Sequence, residues 1–305
     1  MLTADLRSLL SSCCAVLAVG LASGEFAFAA DDAPQTAIFV MQADGQNVKK
    51  LAQAPGRRTH GAPSWSKDGK FIAFHALTND PQKPDGHVFV AREDGTDVKD
   101  LGIGAFPTWS PDGKQILFSV PMGAPEATQP GVWIMNADGK GRQWMFVGAA
   151  PSFSPDGGKI LYTSNHEGQP GVYAYDILES KSQKLIQQPL QSPLAVARWS
   201  PDAKKVLCID LKGGRHELLL GDAANAQMPP KVRTTGDLGF VASWQPADRI
   251  VISMKHGDAG QRLFLLNPDN EMTPALIPGQ EQGKIWRDPT WSPDGQRLIF
   301  VSDQN

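Results

Sequence analysis

Trp109-Ser110-Pro111-Asp112-Gly113 is the stretch of sequence that decides the fold. Versions of it begin at positions 65, 109, 153, 199, 244 and 291, at intervals of 44, 44, 46, 45 and 47 residues. The Ser-Pro-Asp-Gly element suits a tight turn, because proline presets the backbone at the second turn position and glycine accepts a left-handed conformation. Six regularly spaced copies of such a turn indicate a repeat architecture.

Each copy is embedded in the same pattern of short strands. An apolar segment such as 115–118 follows the turn, and another such as 131–134 comes after a polar loop. A second turn, for example Asp138-Gly139, then leads into a last segment that ends near Val147. Four strands in about 45 residues is the size of one propeller blade. The sequence therefore predicts an all-β fold, a six-bladed β-propeller.

The two ends of the chain each hold half of a blade. Residues 38–51 contain two strands around an Asp44-Gly45 turn, without the first two strands of a blade before them. The last copy of the repeat has only the first two strands, and they end near Phe300. We therefore expect the N-terminal and C-terminal strands to close the ring in one shared blade, which removes an exposed strand edge. Residues 30–305, divided among six blades, give 46 residues each, so we assign all of them to the propeller.

Residues 1–29 have the pattern of a signal peptide. Arg7 precedes an apolar stretch from Leu9 to Ala22, and Ala27-Phe28-Ala29 offers small residues at a cleavage site. The apolar stretch is short for a membrane span. We therefore expect export to the periplasm, cleavage after Ala29 and no membrane span in the mature protein. A permanent N-terminal anchor and lipidation at Cys13 are the alternatives.

Charge and motifs narrow the classes of function. The chain has 29 Lys and Arg against 32 Asp and Glu, a formal net charge of −3. Nucleic-acid-binding proteins normally concentrate basic charge on one surface, so we expect no nucleic-acid partner. No Gly-x-Ser-x-Gly element is present, and the repeats leave no room for a hydrolase domain, which argues against a peptidase.

The six histidines form no linear metal-binding motif. Blades could still bring ligands together from distant parts of the chain, so a metal-dependent lyase is the catalytic alternative. Only His60 directly precedes an innermost strand, and the others are expected farther from the axis. We expect all six to be ordinary surface or loop residues. We therefore predict no catalytic residue, no metal site and no cofactor.

The repeated aspartates and tryptophans are expected to be structural. A turn aspartate such as Asp112 readily accepts backbone N–H groups. Tryptophans such as Trp109 end innermost strands and should pack between blades. Cys208 occupies the second-strand position that Phe74 and Phe118 fill elsewhere, so we expect it to be buried and inert.

The repeats resemble those of the TolB-like family of bacterial propellers, also described as WD40-like or PD40 repeats. The resemblance spans roughly residues 36–305 and rests on the Pro-x-Trp-Ser-Pro-Asp-Gly element and on stretches such as 162–173. It implies a non-catalytic, periplasmic, monomeric scaffold whose partner is a cell-envelope protein such as a peptidoglycan-associated lipoprotein. TolB-type proteins also carry an α/β domain before the propeller. Here the first strand begins shortly after residue 29, so the resemblance covers the propeller only.

Other propellers carry a similar repeat. It is similar to that of a metal-dependent oligogalacturonate lyase and to that of the propeller domains of certain prolyl peptidases. The alternative function is therefore that of a polysaccharide-active propeller, either a lyase or a carbohydrate-binding module.

Two loops that enter neighbouring innermost strands form the candidate binding site at the channel mouth. Its residues are Arg57, Arg58, His60, Lys284, Trp286 and Arg287. Arginine offers planar donors for carboxylates, and tryptophan offers a large contact surface. The sequence predicts that this seam binds an acidic segment of a partner or an acidic glycan. The alternative is a solvated pair of basic loops, with Trp286 covering a blade edge.

Overall fold

The computed structural model describes residues 35–78, 86–121, 124, 129–165, 170–186, 190, 196–212, 215–226, 230–257, 260–267 and 274–304. The predicted signal peptide, residues 1–29, lies outside these residues. The described chain is organised as six antiparallel sheets of four strands each. No helix in this part of the chain is long and apolar enough to cross a membrane.

The N-terminal half of the described chain forms a hairpin and three complete blades. The hairpin comprises β1 (Ala37–Gln42) and β2 (Lys49–Ala52). Blade 1 comprises β3 (Thr59–Trp65), β4 (Phe71–Leu77), β5 (Gly86–Arg92) and β6 (Lys99–Ile103). Blade 2 comprises β7 (Ala105–Trp109), β8 (Gln115–Val120), β9 (Gly131–Asn136) and β10 (Gln143–Phe146). Blade 3 comprises β11 (Ala149–Phe153), β12 (Lys159–Ser164), β13 (Gly171–Asp176) and β14 (Lys181–Lys184).

The C-terminal half supplies two further blades and the remainder of the sixth. Blade 4 comprises β15 (Ala197–Trp199), β16 (Lys205–Lys212), β17 (Arg215–Asp222) and β18 (Lys231–Gly236). Blade 5 comprises β19 (Leu238–Trp244), β20 (Ile250–Lys255), β21 (Gln261–Leu266) and β22 (Ala275–Leu276). Blade 6 combines the N-terminal hairpin with β23 (Trp286–Trp291) and β24 (Arg297–Ser302).

The ring closes through blade 6. β1 pairs with β24 along its full length, from Ala37 opposite Ser302 to Gln42 opposite Arg297. The strand order of this sheet, from the channel outward, is β23, β24, β1 and β2. The first strands of neighbouring blades contact one another in a closed circuit, from β3 through β7, β11, β15, β19 and β23 back to β3. The structure thus confirms the six-bladed propeller with a shared closing blade.

The apolar core lies mostly between neighbouring blades. Trp65 illustrates the arrangement, because it packs with Phe74 of its own blade and with Ile299 of blade 6. The guanidinium of Arg297 lies 4.9 Å from the centre of the Trp65 ring. Cys208 is fully buried in the equivalent layer between blades 3 and 4. The packing roles predicted for the tryptophans and for Cys208 are confirmed.

The Ser-Pro-Asp-Gly turns use their polar side chains internally. In blades 1, 2, 3, 4 and 6 the serine hydroxyl donates to the aspartate over 2.5–2.7 Å. The same carboxylate accepts the backbone N–H two residues later over 3.0–3.1 Å. The serine hydrogen bond is the main cause that lowers the pKa of Asp112 below its ordinary value. The repeated aspartates therefore hold the turns, as predicted.

The outer turns bring neighbouring blades into close contact. Gly95, in the turn between β5 and β6, has φ of +85°, and a Cβ atom added there would overlap the carbonyl oxygen of Leu51 in β2. Gly45, in the turn of the N-terminal hairpin, meets the carbonyl group of Pro278 in the same way. Glycine is needed at these turns because backbone of the preceding blade occupies the space of a side chain.

Candidate functional site

An apolar constriction divides the central channel. It is formed by Ala62, Phe106, Ala150 and Val196, with Phe240 packed against them. Ala62, Phe106 and Ala150 lie at β-bulges of innermost strands and have φ between 42° and 53°. A bulge re-aims the strand, and here it turns these residues toward one another.

A separate cavity lies at each end of the constriction. The first has a volume of about 250 Å³, and the residues that precede the constriction in β3 and β23 form part of its wall. We call it the seam cavity, since blades 5, 6 and 1 form most of its wall. Its walls are Thr59, His60, Gly61, His75, Leu77, Phe106, Leu238, Gly239, Phe240, Val241, Gln261, Ile285, Arg287 and Asp288. The second, of about 330 Å³, is lined by residues that follow the constriction in all six innermost strands.

The backbone N–H groups of the bulges are bound by side chains of neighbouring blades. The N–H of Ala150 donates to Oγ of Ser119 over 2.9 Å. The N–H of Phe106 donates to Nδ1 of His75 over 3.3 Å. His75 occupies the same position in blade 1 that Ser119 occupies in blade 2. Since His75 accepts here, its proton is on Nε2. This role was missed from the sequence, although the 44-residue spacing between His75 and Ser119 is a signal for it.

Asp288 performs the same task at the seam. Its Oδ2 accepts the N–H of Ala62 over 3.2 Å. The strand position that supplies His75 and Ser119 in blades 1 and 2 is Val301 in blade 6, whose side chain has no polar atom. Asp288 therefore replaces it and places a carboxylate in the wall of the seam cavity.

His60 joins the closing blade to blade 1. Its ring atom Nε2 accepts the backbone N–H of Ala54 over 2.9 Å, and the backbone N–H of His60 donates to Oγ1 of Thr36 over 2.8 Å. Its carbonyl accepts from Nη2 of Arg287 over 3.1 Å. Because Thr36 and Ala54 flank the N-terminal hairpin, this buried histidine contacts both ends of that hairpin and also the first strand of blade 6.

Burial keeps both imidazoles of the seam cavity neutral. Together with smaller contributions from Lys50 and Arg287, it lowers the pKa of His60 to about 4. It also lowers the pKa of His75 to about 3, with Arg287 as the next cause. At neutral pH the charged groups in the cavity wall are therefore Arg287 and Asp288.

The structure brings two of the six predicted site residues together in the cavity wall, His60 and Arg287. Arg57 turns away from the cavity. Its guanidinium lies 5.9 Å from the centre of the Phe89 ring and 4.0 Å from Asp100, at the outer part of blade 1.

Arg58 and Lys284 lie on the chain segments that lead into the cavity. Arg58 is half-buried, and its backbone N–H donates to the carbonyl of Leu77 over 3.3 Å. Lys284 is also half-buried, and its carbonyl accepts from Nη1 of Arg262 over 2.7 Å. Neither residue lines the cavity.

Trp286 corrects the prediction of an exposed contact surface. The residue is fully buried, its ring stacks on Phe300 at 4.7 Å, and its Nε1 donates to the carbonyl of Glu281 over 3.2 Å. It lies five residues before Trp291, as His60 lies five before Trp65, and His60 similarly faces Phe74 at 5.8 Å. This repeat position therefore packs inward against the second-strand aromatic, which explains why Trp286 is unavailable to a partner.

The prediction of surface or loop histidines is also corrected for His60, His75 and His216. All three lie within strands and are buried, because β3, β4 and β17 extend beyond the segments expected from apolar pattern alone. His87 is paired with Asp100 at 2.8 Å, and His256 is exposed. His166 lies outside the described residues. Within those residues, no group of three or more His, Cys, Asp or Glu is arranged to hold a metal ion.

A comparison with protein families identifies the same propeller repeat. Residues 38–287 match the PD40 family profile, described as the TolB beta propeller domain. The chain belongs to this family. No curated protein sequence shows significant similarity to it.

Several solved structures are similar in fold to this TolB-type propeller. A putative TolB from Agrobacterium tumefaciens is 17% identical with a TM-score of 0.68, over 88% of this chain and 98% of that one. TolB from Acinetobacter baumannii is 18% identical with a TM-score of 0.60, over 90% of this chain and 65% of that one. An oligogalacturonate lyase in complex with manganese is 13% identical with a TM-score of 0.52, over 75% of this chain and 69% of that one. At these identities the likeness is one of fold.

Proposed function

We propose that this TolB-type propeller is a non-catalytic periplasmic scaffold that binds an acidic segment of a cell-envelope protein at the seam cavity. A protein such as a peptidoglycan-associated lipoprotein is the expected class of partner. The observation that carries the proposal is the cavity itself. Apolar walls with a few polar groups at the end of a channel are typical of binding sites.

The charges of the cavity favour an acidic ligand. Arg287 lines the wall beside two neutral imidazoles, and Asp288 already accepts the N–H of Ala62. Arg58 and Lys284 directly precede two of the wall residues, Thr59 and Ile285, in the chain. A carboxylate carried on an apolar peptide segment would pair with Arg287 and contact Phe106 and Phe240. The likeness to the oligogalacturonate lyase is confined to fold and does not favour the polysaccharide-active alternative.

Site-specific photo-crosslinking in periplasmic extract tests the proposal. A photoreactive phenylalanine analogue at Phe240, in the cavity wall, should crosslink to one partner that mass spectrometry identifies. The same analogue at Val232, which is half exposed on the outer strand β18, is the matched control and should not capture it. The change Arg287→Gln should reduce the crosslink at least tenfold, because the truncation of a central interface residue often costs about 2 kcal/mol.

Two outcomes would contradict the proposal, one for the site and one for the class of partner. Equal capture from positions 240 and 232 would show that the cavity is not the site. Absence of any protein crosslink, together with binding of an acidic oligosaccharide that Arg287→Gln abolishes, would assign the cavity to a glycan.

Export is part of the proposal and has its own test. The mature protein isolated from the producing cell should have an N-terminus at Ala30, after removal of the 29-residue segment predicted as a signal peptide. Intact-mass measurement and cell fractionation check this. A protein that retains Met1, or one that carries a lipid on Cys13, would contradict it.

A further inference from the structure

The second channel cavity has an unusual inner wall. Its innermost ring is formed by the residue that precedes the aromatic in each copy of the repeat. These six residues are Ser64, Thr108, Ser152, Arg198, Ser243 and Thr290. Five are hydroxyl residues and the sixth is an arginine, so we call this space the hydroxyl-ring cavity.

The charge of this cavity is positive within the described residues. Arg198 and, at the rim, Lys67 line it, and none of the residues that form its wall is an aspartate or glutamate. The turn aspartates lie on the same face but are occupied locally. Asp112, for example, accepts from the hydroxyl of Ser110 and lies 3.9 Å from Lys114.

Arg198 has donors to spare in this setting. Its Nη1 donates to the carbonyl of Ala197 over 2.9 Å, and no ion pair joins it to a residue that the structure describes. Burial lowers the pKa of Arg198 to about 10, and attraction by Asp288, which lies at the bulge of β23, partly offsets this effect. The guanidinium is therefore a charged group at neutral pH, surrounded by protein and open to the channel.

The serines beside Arg198 have protons available for a ligand. Ser243 of blade 5 accepts the N–H of Trp291 over 3.2 Å, so its own O–H is free to donate elsewhere. Ser152 of blade 3 is 3.4 Å from the carbonyl of Phe153, a distance too long for a strong bond. By contrast, Thr108 and Thr290 donate to carbonyls of the next blade over 3.2 and 2.7 Å.

We propose that the hydroxyl-ring cavity binds a small free oxyanion of the carboxylate or phosphate class, held by Arg198 with Ser152 and Ser243. The planar guanidinium pairs with two oxygens of such an anion, and the flanking hydroxyls donate to it. This site lies across the constriction from the seam cavity and does not depend on the proposed function.

Titration calorimetry with inorganic phosphate and with acetate, each at constant ionic strength against chloride, tests the proposal. The full-length protein should bind at least one of the two anions saturably, with one site per chain. Arg198→Gln should abolish the binding. Arg198→Lys, which keeps the charge and loses the planar fork, should weaken it several-fold. The control Lys140→Gln removes one positive charge from an exposed turn and should leave it unchanged.

Ser152→Ala keeps the test decisive if the changes at Arg198 impair folding. This change removes one small hydroxyl and should weaken binding about tenfold, because a hydrogen bond to a charged group is lost. Lack of saturable binding by both anions in the unchanged protein would overturn the proposal. Binding that is equally strong in Arg198→Gln or in Ser152→Ala would also overturn it, since the anion would then lie elsewhere.

Discussion

At the scale of single residues, His60 couples the integrity of the ring to pH. Its Nε2 must be unprotonated to accept the N–H of Ala54, and burial lowers its pKa to about 4. The unfolded chain has an ordinary histidine pKa of about 6.5. Between these values the unfolded state binds more protons than the folded state, so the free energy of unfolding falls as the pH falls.

We expect His60 to contribute about 2 kcal/mol to a loss of stability between pH 7 and pH 5. The contribution is fully present above pH 6.5 and is lost as the pH falls toward 4. Urea unfolding at the two pH values measures it, and His60→Gln should reduce the difference. His256→Gln changes an exposed histidine and is the control. An identical pH dependence in His60→Gln and the unchanged protein would contradict the assignment.

The turn aspartates and the tryptophans could be predicted at this scale because their roles are local and repeat along the chain. His75 and Trp286 could not. Their burial depends on the pairing of strand ends and on aromatic partners contributed by strands distant in sequence, such as the stacking of Trp286 on Phe300. An alternation of apolar residues does not show how far a strand extends beyond its apolar segment.

At the scale of elements, the two kinds of turn use glycine for different reasons. Gly69, in the Ser-Lys-Asp-Gly turn of blade 1, has φ of +71° and no atom within 4 Å of an added Cβ. Ala203 occupies the same turn position in blade 4 with φ of 59°, so a methyl group is tolerated there. Gly95 differs because the carbonyl of Leu51 lies against it.

Gly69→Ala should therefore cost only the left-handed conformation, about 1 kcal/mol. Gly95→Ala should cost about 2 kcal/mol more, because blades 6 and 1 must also move apart at the turn. Chemical denaturation of both variants measures the difference. Equal loss of stability in the two variants would show that the turn of blade 1 is not tightly docked on β2.

The strand count per blade was predictable from the turn spacing, whereas the division of the channel was not. The constriction depends on β-bulges at Ala62, Phe106 and Ala150, and each bulge depends on an acceptor from another strand. Such an acceptor can be histidine, serine or aspartate, so no single residue type marks the position in the sequence. The two cavities follow from the bulges and became evident only in three dimensions.

At the scale of the whole molecule, the N-terminal hairpin is the element that completes the ring. Ile38, Phe39 and Met41 of β1 are almost fully buried in the layers on both sides of blade 6. Burial of each such side chain contributes about 1.5–3 kcal/mol. Without the hairpin, β24 would expose both this apolar surface and an unpaired edge.

Deletion of residues 35–53 should therefore abolish the cooperative unfolding transition of the propeller. Differential scanning calorimetry measures the loss, and a synthetic peptide of residues 35–53 added in excess should restore a cooperative transition. A truncated protein that melts as sharply as the full chain would mean that the ring is sealed in another way.

The insertion of β1 between β24 and β2 has a consequence for the order of folding. Synthesis makes the N-terminal hairpin before blades 1 to 5, whereas its partner strand β24 is made after them. The two paired strands are far apart in sequence, and contacts of such large sequence separation form slowly. Blades 1 to 5 can assemble as each is completed, whereas the first hairpin must wait in the nascent chain with its apolar face unprotected. Ring closure accordingly follows the synthesis of blades 1 to 5, and the exposed hairpin is the segment that a chaperone would have to shield until β24 is made.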